Sequence, residues 1–315
     1  MEIRETITAP QRTLSTLQRG LLRTLAYFDL FRHPLRTEEV LRFMCPPAHA
    51  AQVGPLLHEL TEQGCLEHTD GFFGLADVHD AVAKRREENA RALSRMARAH
   101  RMSRFIGRFP FVRGVMLSGS ISKGCLAVDG DIDYFVITAP GRLWIARTLL
   151  VAYKKVFLLN RRRDFCVNYF VDTEHLAIED RNLFTAIELL TLVPTYGSRT
   201  CSAFFAANGW ASALLPNAPL PDTAQAPDGD GPVKRMTERL LRNGLADEMD
   251  EWLMHRTVRH WRTRFTEMER EHFELAMRSR RYVSKHHPRE FQRKVLEAFE
   301  QRLIRLENEL GTSLR

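Results

Sequence analysis

Between Gly114 and Thr138 the chain reads Gly-Val-Met-Leu-Ser-Gly-Ser-Ile-Ser-Lys-Gly-Cys-Leu-Ala-Val-Asp-Gly-Asp-Ile-Asp-Tyr-Phe-Val-Ile-Thr, and this stretch restricts the fold more than any other. Val115, Met116 and Leu117 form a short apolar run that stops at Ser118-Gly119-Ser120. A second run, Tyr134 to Ile137, is β-branched and aromatic and starts directly after Asp131-Ile132-Asp133. Short apolar runs of this kind, bounded by turn residues, predict two strands. Between them, small residues and Gly124 let the backbone pass close to a ligand and leave amides free to face phosphate oxygens, while Lys123 adds a cation. Asp131 and Asp133 are two apart in a period-2 segment, so both point to one face and can share a divalent cation. Ile132 then points the other way, into a core.

The pair Gly119-Ser120, followed by Asp131 and Asp133 after the intervening Ile121 to Gly130, resembles the DNA polymerase β-like nucleotidyltransferase superfamily. Its signature is a Gly-Ser turn with Asp-x-Asp on a strand about ten residues later. The resemblance implies that Gly119 and Ser120 hold a nucleoside triphosphate, with Lys123 offsetting its charge. It also implies that Asp131 and Asp133 bind magnesium, or manganese in its place. Phosphoryl and nucleotidyl transfer need charge neutralisation and in-line positioning more than covalent chemistry, which suits such a set. Two other readings use fewer of these residues. Asp129-Gly130-Asp131 alone would serve as a hairpin turn whose acids bond their own backbone. Gly119 and Gly124 enclose four residues as in a P-loop, but Cys125-Leu126 stands where that motif requires Lys and Ser or Thr.

Phe165 to Val171 is expected to be the third strand, where the superfamily usually carries a third metal-binding carboxylate. The central residue on one face here is Asn168, with Asp172 at the strand's end. Asn168 is the residue expected to occupy the site, and Asp172 is the alternative metal ligand. Ala177 to Val193 reads as a helix in which Glu188 lies among Ala186, Ile187, Leu189 and Leu190. A carboxylate in such company needs a partner or a task. A catalytic base that deprotonates an acceptor hydroxyl is one reading, and a salt-bridged glutamate is the other.

With 315 residues, two or three domains and a sizeable core are within reach. Forty-six Lys and Arg against 39 Asp and Glu give a net charge of +7, which suits an anionic ligand such as a nucleotide or a nucleic acid. Cysteines 45, 65, 125, 166 and 201 are odd in number and widely spread, without a Cys-x-x-Cys pair, so reduced thiols in a cytoplasm are expected. Met1 to Pro10 has no apolar core of a signal peptide. Leu143 to Leu159 is the most apolar long segment, yet Arg147, Lys154 and Lys155 interrupt it well short of a membrane span.

Upstream, three helices are predicted, over Thr13 to Phe28, from Thr37, and over Ala48 to Gln63. Two short strands around Thr69-Asp70-Gly71 follow, and Asp-Gly is a hairpin signal. This outline is that of a winged helix. The segment Leu25 to Phe31, with Pro34-Leu35 and Glu38-Glu39-Val40, also resembles the N-terminal region of a group of uncharacterised nucleotidyltransferase-domain proteins. The third helix offers Ala51, Gln52, His58, Glu59, Glu62 and Gln63, with no arginine or lysine for phosphates or guanine edges, so a structural or protein-contact role is favoured over DNA reading. Asp77 to Phe109 predicts one long basic helix, either a solvated face or a track for a nucleic-acid acceptor. Arg142 to Phe157 predicts a helix packed across the sheet, followed by a basic turn, Arg161-Arg162-Arg163. Residues 233–314 read as helical throughout, with a break around Ser284 to Pro288, where His286, His287 and Arg289 could approach an anionic substrate.

The expected fold class is α+β. A nucleotidyltransferase-type mixed sheet core (111–215) is flanked by a winged-helix-like domain (1–76), a linking helix (77–110), a linker (216–232) and a C-terminal helical domain (233–315). The expected function is magnesium-dependent transfer of a nucleoside monophosphate from a triphosphate to an acceptor, with pyrophosphate leaving. The alternative is a non-catalytic regulatory or DNA-binding protein built on a decayed transferase fold. The acceptor stays open between a small molecule, RNA and a protein, and no membrane partner is expected.

Overall fold

A computed structural model describes residues 13–159, 163–287 and 290–315. Met1 to Pro10, Arg161, Arg162 and Arg289, all named above, lie outside the described residues. The N-terminal part runs through α1 (Thr16–Asp29), α2 (Thr37–Phe43), α3 (Ala50–Glu62), β1 (Glu67–Thr69), β2 (Phe72–Gly74) and α4 (Val78–Gly107). The middle continues with β3 (Val112–Ser118), α5 (Gly119–Ser122), β4 (Asp133–Thr138), α6 (Leu143–Phe157), β5 (Cys166–Asp172), α7 (Leu183–Leu190) and β6 (Val193–Tyr196). After these come α8 (Ser198–Ala207), α9 (Trp210–Leu214), α10 (Pro232–Leu240), α11 (Gly244–Arg264), α12 (Arg270–Ala276), β7 (Ser279–Arg280), β8 (Val283–Lys285) and α13 (Phe291–Leu310).

The chain divides into two compact units. The first comprises the residues up to Arg86, Ser212–Pro219 and Arg293–Arg315. Its α1 starts at a capping box in which Ser15 accepts from the Gln18 amide and Gln18 accepts from the Ser15 amide. Asp70 and Gly71 both have positive φ, as a two-residue hairpin turn requires, so β1 and β2 pair antiparallel. Leu35 bridges to Phe73, which ties the hairpin to the loop after α1. The C-terminal helix closes this core: Phe299 meets Tyr27 edge-on at 5.5 Å, and Arg302 donates to Asp29 at 2.8 Å.

The second unit, Glu87–Ala211 and Leu220–Gln292, contains a six-stranded mixed sheet in the order β6-β3-β4-β5-β8-β7. Only β4 and β5 run parallel. That pair is joined through α6, because a parallel connection needs a crossover. Along β4, Tyr134 and Val136 enter a core shared with Ala99 and Ile106 of α4, Trp144 and Leu150 of α6, and Trp261 of α11. Phe135 points to the opposite face, where it meets Tyr169 at 4.9 Å and Phe204 at 5.0 Å. The architecture is therefore α+β with helices on both sides of a mixed sheet.

Two expectations are corrected. The helix read over Ala177 to Val193 starts only at Leu183, capped by Asn182, and ends at Leu190. Val193 to Tyr196 is a strand, and its position at the sheet edge accommodates Pro194, which has no N–H to donate. The segment read as helical from 233 to 314 is interrupted by β7 and β8, a hairpin that extends the sheet beyond β5. The break foreseen near Ser284 is thus a strand.

Candidate functional site

The end of β3 sets the geometry. Ser118 is the register partner of Asp133, so the chain leaves β3 beside the first residue of β4. It does so through Gly119 at φ +68°, and a Cβ on Gly119 would stand 2.5 Å from Asp133 Oδ2. Only glycine satisfies both the left-handed backbone and that approach. The single turn of α5 follows, with first-turn amides that have no partner inside the helix and with Ser120 exposed. Asn89 of α4 steadies the return of the chain by donating to the Gly124 carbonyl at 2.8 Å.

Asp131 and Asp133 both face one large cleft, while Ile132 between them is fully buried. Ile132 is held extended by its N–H to the Arg163 carbonyl and its carbonyl to the Cys166 N–H. Asp131 makes no hydrogen bond or ion pair with any described residue. Asp133 accepts from the Asn168 side-chain amide at 2.9 Å. Burial pushes its carboxyl up to about 6, and the negative charges of Asp131 and Glu188 add to the rise, against the nearby Cys166 thiol and the Lys123 ammonium. Burial and the nearby Asp133 charge likewise raise the Cys166 thiol, which stays protonated and able to donate.

Asn168 reaches Asp133 because β5 carries an irregularity there. Val167 pairs with Tyr134 and Tyr169 with Phe135, which leaves Asn168 as an extra residue in the strand. Such bulges re-aim a side chain beside a site. Asp172 is not brought to this place. It pairs with Thr138 at the far end of β4, and its buried carboxylate accepts from the Glu174 and His175 amides and lies 2.8 Å from His175 Nδ1. As a metal ligand it is corrected to the organiser of a turn.

Glu188 lines the cleft, but it has a partner: Lys123 Nζ is 2.8 Å away. The same ammonium donates to the Gly119 carbonyl at 3.1 Å, so Lys123 braces the turn from behind and is not itself part of the cleft lining. The salt-bridged reading of Glu188 is the one the structure contains. Among the described residues no group of three or more His, Cys, Asp and Glu side chains is placed to hold a metal ion. The oxygen donors at hand are the two carboxylates, with Asn168 beside them.

The cleft has a volume of about 1070 Å³, and its lining includes the Gly119-Ser120 turn and residues of α6, α7 and α11. Of its residues, Asp180 and Lys285 were not singled out from sequence, whereas His287 was. Asp180 pairs with Arg278 at 2.8 Å and with the buried Lys285 at 3.0 Å, so burial of the ammonium is offset by charge. His287 lines the cleft with its Nε2 sealed and unpartnered, and burial pushes the ring down to about 4, which keeps it neutral. Arg147 lines the cleft as well. Nothing local in the sequence marks Asp180 and Lys285, because their meeting depends on β8 joining the sheet. The basic helix α4, by contrast, is largely tied down: Arg95 and Arg98 both pair with Asp164, and Arg91 donates to the Leu126 carbonyl.

Among the described residues, no helix is long and apolar enough to cross a membrane. Compared with protein-family models, with curated proteins and with solved structures, the chain matches none.

Proposed function

We propose that this protein is a magnesium-dependent nucleotidyltransferase that moves a nucleoside monophosphate from a triphosphate to an acceptor and releases pyrophosphate. The observation that carries this reading is the apposition of the Gly119 backbone to the Asp133 carboxylate, with Asp131 on the same face and a cleft in front. It agrees with the resemblance of Gly119-Ser120 and Asp131-Ile132-Asp133 to the polymerase β-like signature. A divalent cation fits the two carboxylates chemically: Asp131 has no other partner and Asp133 is strained by burial of its charge. When bound there, magnesium supplies charge neutralisation for the phosphate oxygens. The chain's own part is positional. Ser120 and the first-turn amides of α5 bind phosphate oxygens, Lys123 holds the turn through the Gly119 carbonyl, and Asn168 fixes the orientation of Asp133. Glu188 keeps a second negative charge near Asp133 that the Lys123 partner moderates.

Isothermal titration of ATP and the other nucleoside triphosphates with magnesium tests the reading, with the native protein compared with Asp131→Ala plus Asp133→Ala. Equal binding by the two proteins removes its foundation.

A second reading, a non-catalytic regulatory protein on a decayed transferase fold, is favoured by one observation: Asn168 stands where a third carboxylate would, so the site carries less charge than a metal pair ordinarily uses. In that reading α1, α2, α3 and the β1–β2 hairpin act as a winged helix. Since α3 has no lysine or arginine, its partner is a protein and not DNA. Incubation with labelled triphosphates and a cell extract separates the two, because only the enzyme transfers label to an acceptor fraction.

A further inference from the structure

Arg147 sits on α6 and is only 9% exposed, yet it faces the cleft. Its guanidinium lies in the corner formed by two inclined indoles, 5.5 Å from the Trp144 ring centre and 4.7 Å from that of Trp261, which are themselves 6.3 Å apart. No hydrogen bond or ion pair joins it to any described residue. Its nitrogens are not among the polar atoms that are both sealed and partnerless, so the surface it retains includes the guanidinium, which opens on the cleft. No counter-charge acts on it, and burial alone lowers its affinity for its proton, to about 10. A buried, unpaired cation is costly to keep, and structures retain one where something outside the fold neutralises it. The two indoles hold the guanidinium through cation–π contact while its N–H groups remain free to donate.

The surroundings say what kind of ligand this is. Arg256, Arg259 and Arg264 of α11 also line the cleft, and no described carboxylate pairs with any of them. A single carboxylate would leave most of this positive charge unmatched, whereas a phosphate dianion accepts several charged donors at once. A phosphate monoester carries two charges where a diester carries one, so it matches more of these cationic donors. The cleft, at about 1070 Å³, is at the top of the roughly 300–1,000 Å³ usual for one small ligand, which leaves room beyond the Gly119-Ser120 turn.

We propose that Arg147 is the anchor of an oxyanion subsite in this cleft, built on residues other than Asp131 and Asp133, and that its ligand carries a terminal phosphate monoester. Calling that ligand the acceptor rests on the transferase reading; the subsite itself does not.

Trp144 and Trp261 adjoin the guanidinium and report on it, so tryptophan fluorescence is followed while the full chain is titrated, without magnesium or nucleotide, with inorganic phosphate, ribose 5-phosphate or acetate. Saturable changes with the two phosphates and none with acetate are expected. Arg147→Met is expected to fold, because it exchanges an unpaired buried charge for an apolar side chain, and to bind phosphate about tenfold more weakly or worse. Arg147→Lys is expected to fall between the two. Asp131→Ala plus Asp133→Ala should retain phosphate binding. Phosphate binding unchanged in Arg147→Met, acetate binding as well as phosphate, or failure of Arg147→Met to fold would each overturn the proposal, the last by assigning Arg147 to packing. If phosphate binding depends on Arg147 while magnesium and ATP do not bind, the subsite stands and the transferase reading falls.

Discussion

Asn168 donates its side-chain amide to Asp133 at 2.9 Å from a bulged position in β5. It therefore stabilises the ionised form of a carboxylate that burial pushes toward protonation. A carboxylate at 168 would oppose that ionisation. In Asn168→Asp the lost bond and the added repulsion should cost about 1–3 kcal/mol at pH 7 without metal. Magnesium should recover most of this loss and bind more tightly than to the native chain. Thermal unfolding with and without magnesium measures both, and an unchanged melting temperature in the absence of metal would remove the electrostatic argument.

Gly119 cannot be exchanged cheaply. A methyl group at this position enters both a left-handed backbone at φ +68° and the space within 2.5 Å of Asp133 Oδ2. Gly119→Ala is expected to lose roughly 2–4 kcal/mol of stability, the sum of the backbone penalty and an overpacked contact. Denaturant unfolding gives the number. Gly124→Ala is the control: it shares the left-handed backbone, but its Cβ would meet only Asn89 Nδ2 at 3.5 Å, so its loss should be confined to the backbone part.

The pH dependence follows from a carboxyl raised to about 6 in the folded protein, against 3.8 ordinarily. Between roughly pH 4 and 6 the folded state holds a proton at Asp133 that the unfolded chain has released, so this group's contribution to stability falls as pH rises through that window and is constant above it. The size is on the order of 2–3 kcal/mol. Other carboxylates titrate in the same range, Asp250 among them with the same sign, and subtraction isolates the effect of interest. The stability of Asp133→Asn relative to native should grow by that amount between pH 4 and 6. A difference that stays flat across the window contradicts the buried placement of Asp133.

Asp172 tests the assignment from the other direction. Its buried carboxylate gathers two amides and the His175 ring at the far end of β5. Asp172→Ala should lose about 2–3 kcal/mol because those donors are left unpaired. Magnesium and nucleotide titrations of the surviving fold should match the native protein. A loss of metal affinity with stability intact would restore Asp172 to the site.

The parts of this molecule legible in the sequence are those written in local chemistry. Asp70-Gly71 dictates its hairpin turn, the run without Pro or Gly from Asp77 dictates α4, and the period-2 placement of Asp131 and Asp133 around Ile132 puts both carboxylates on one face. What was not legible depends on pairing between distant segments. Ser279 to Lys285 has helix-like neighbours on both sides, and it becomes a hairpin only because the edge of β5 is available to it. Val193-Pro-Thr-Tyr is likewise a strand because β3 has a free edge. Arg147 reads as a charged interruption of an apolar helix, and its lack of a partner appears only once Trp261, far along the chain, is seen to cover it.

Lys123 and Glu188 are 2.8 Å apart and act on Asp133 in opposite directions, the lysine lowering its proton affinity and the glutamate raising it. Removing one member therefore exposes the other. Lys123→Met leaves Glu188 uncompensated, so Asp133 should titrate above its native value of about 6, and the turn loses its brace at the Gly119 carbonyl. Glu188→Gln should move Asp133 below that value. The double variant should return close to native, with a coupling between the two sites of about 1 kcal/mol, as for a half-buried ion pair. Carboxyl carbon chemical shifts of Asp133 followed against pH read all three. Shifts of the same sign in both single variants would mean that the pair reaches Asp133 through packing and not through charge.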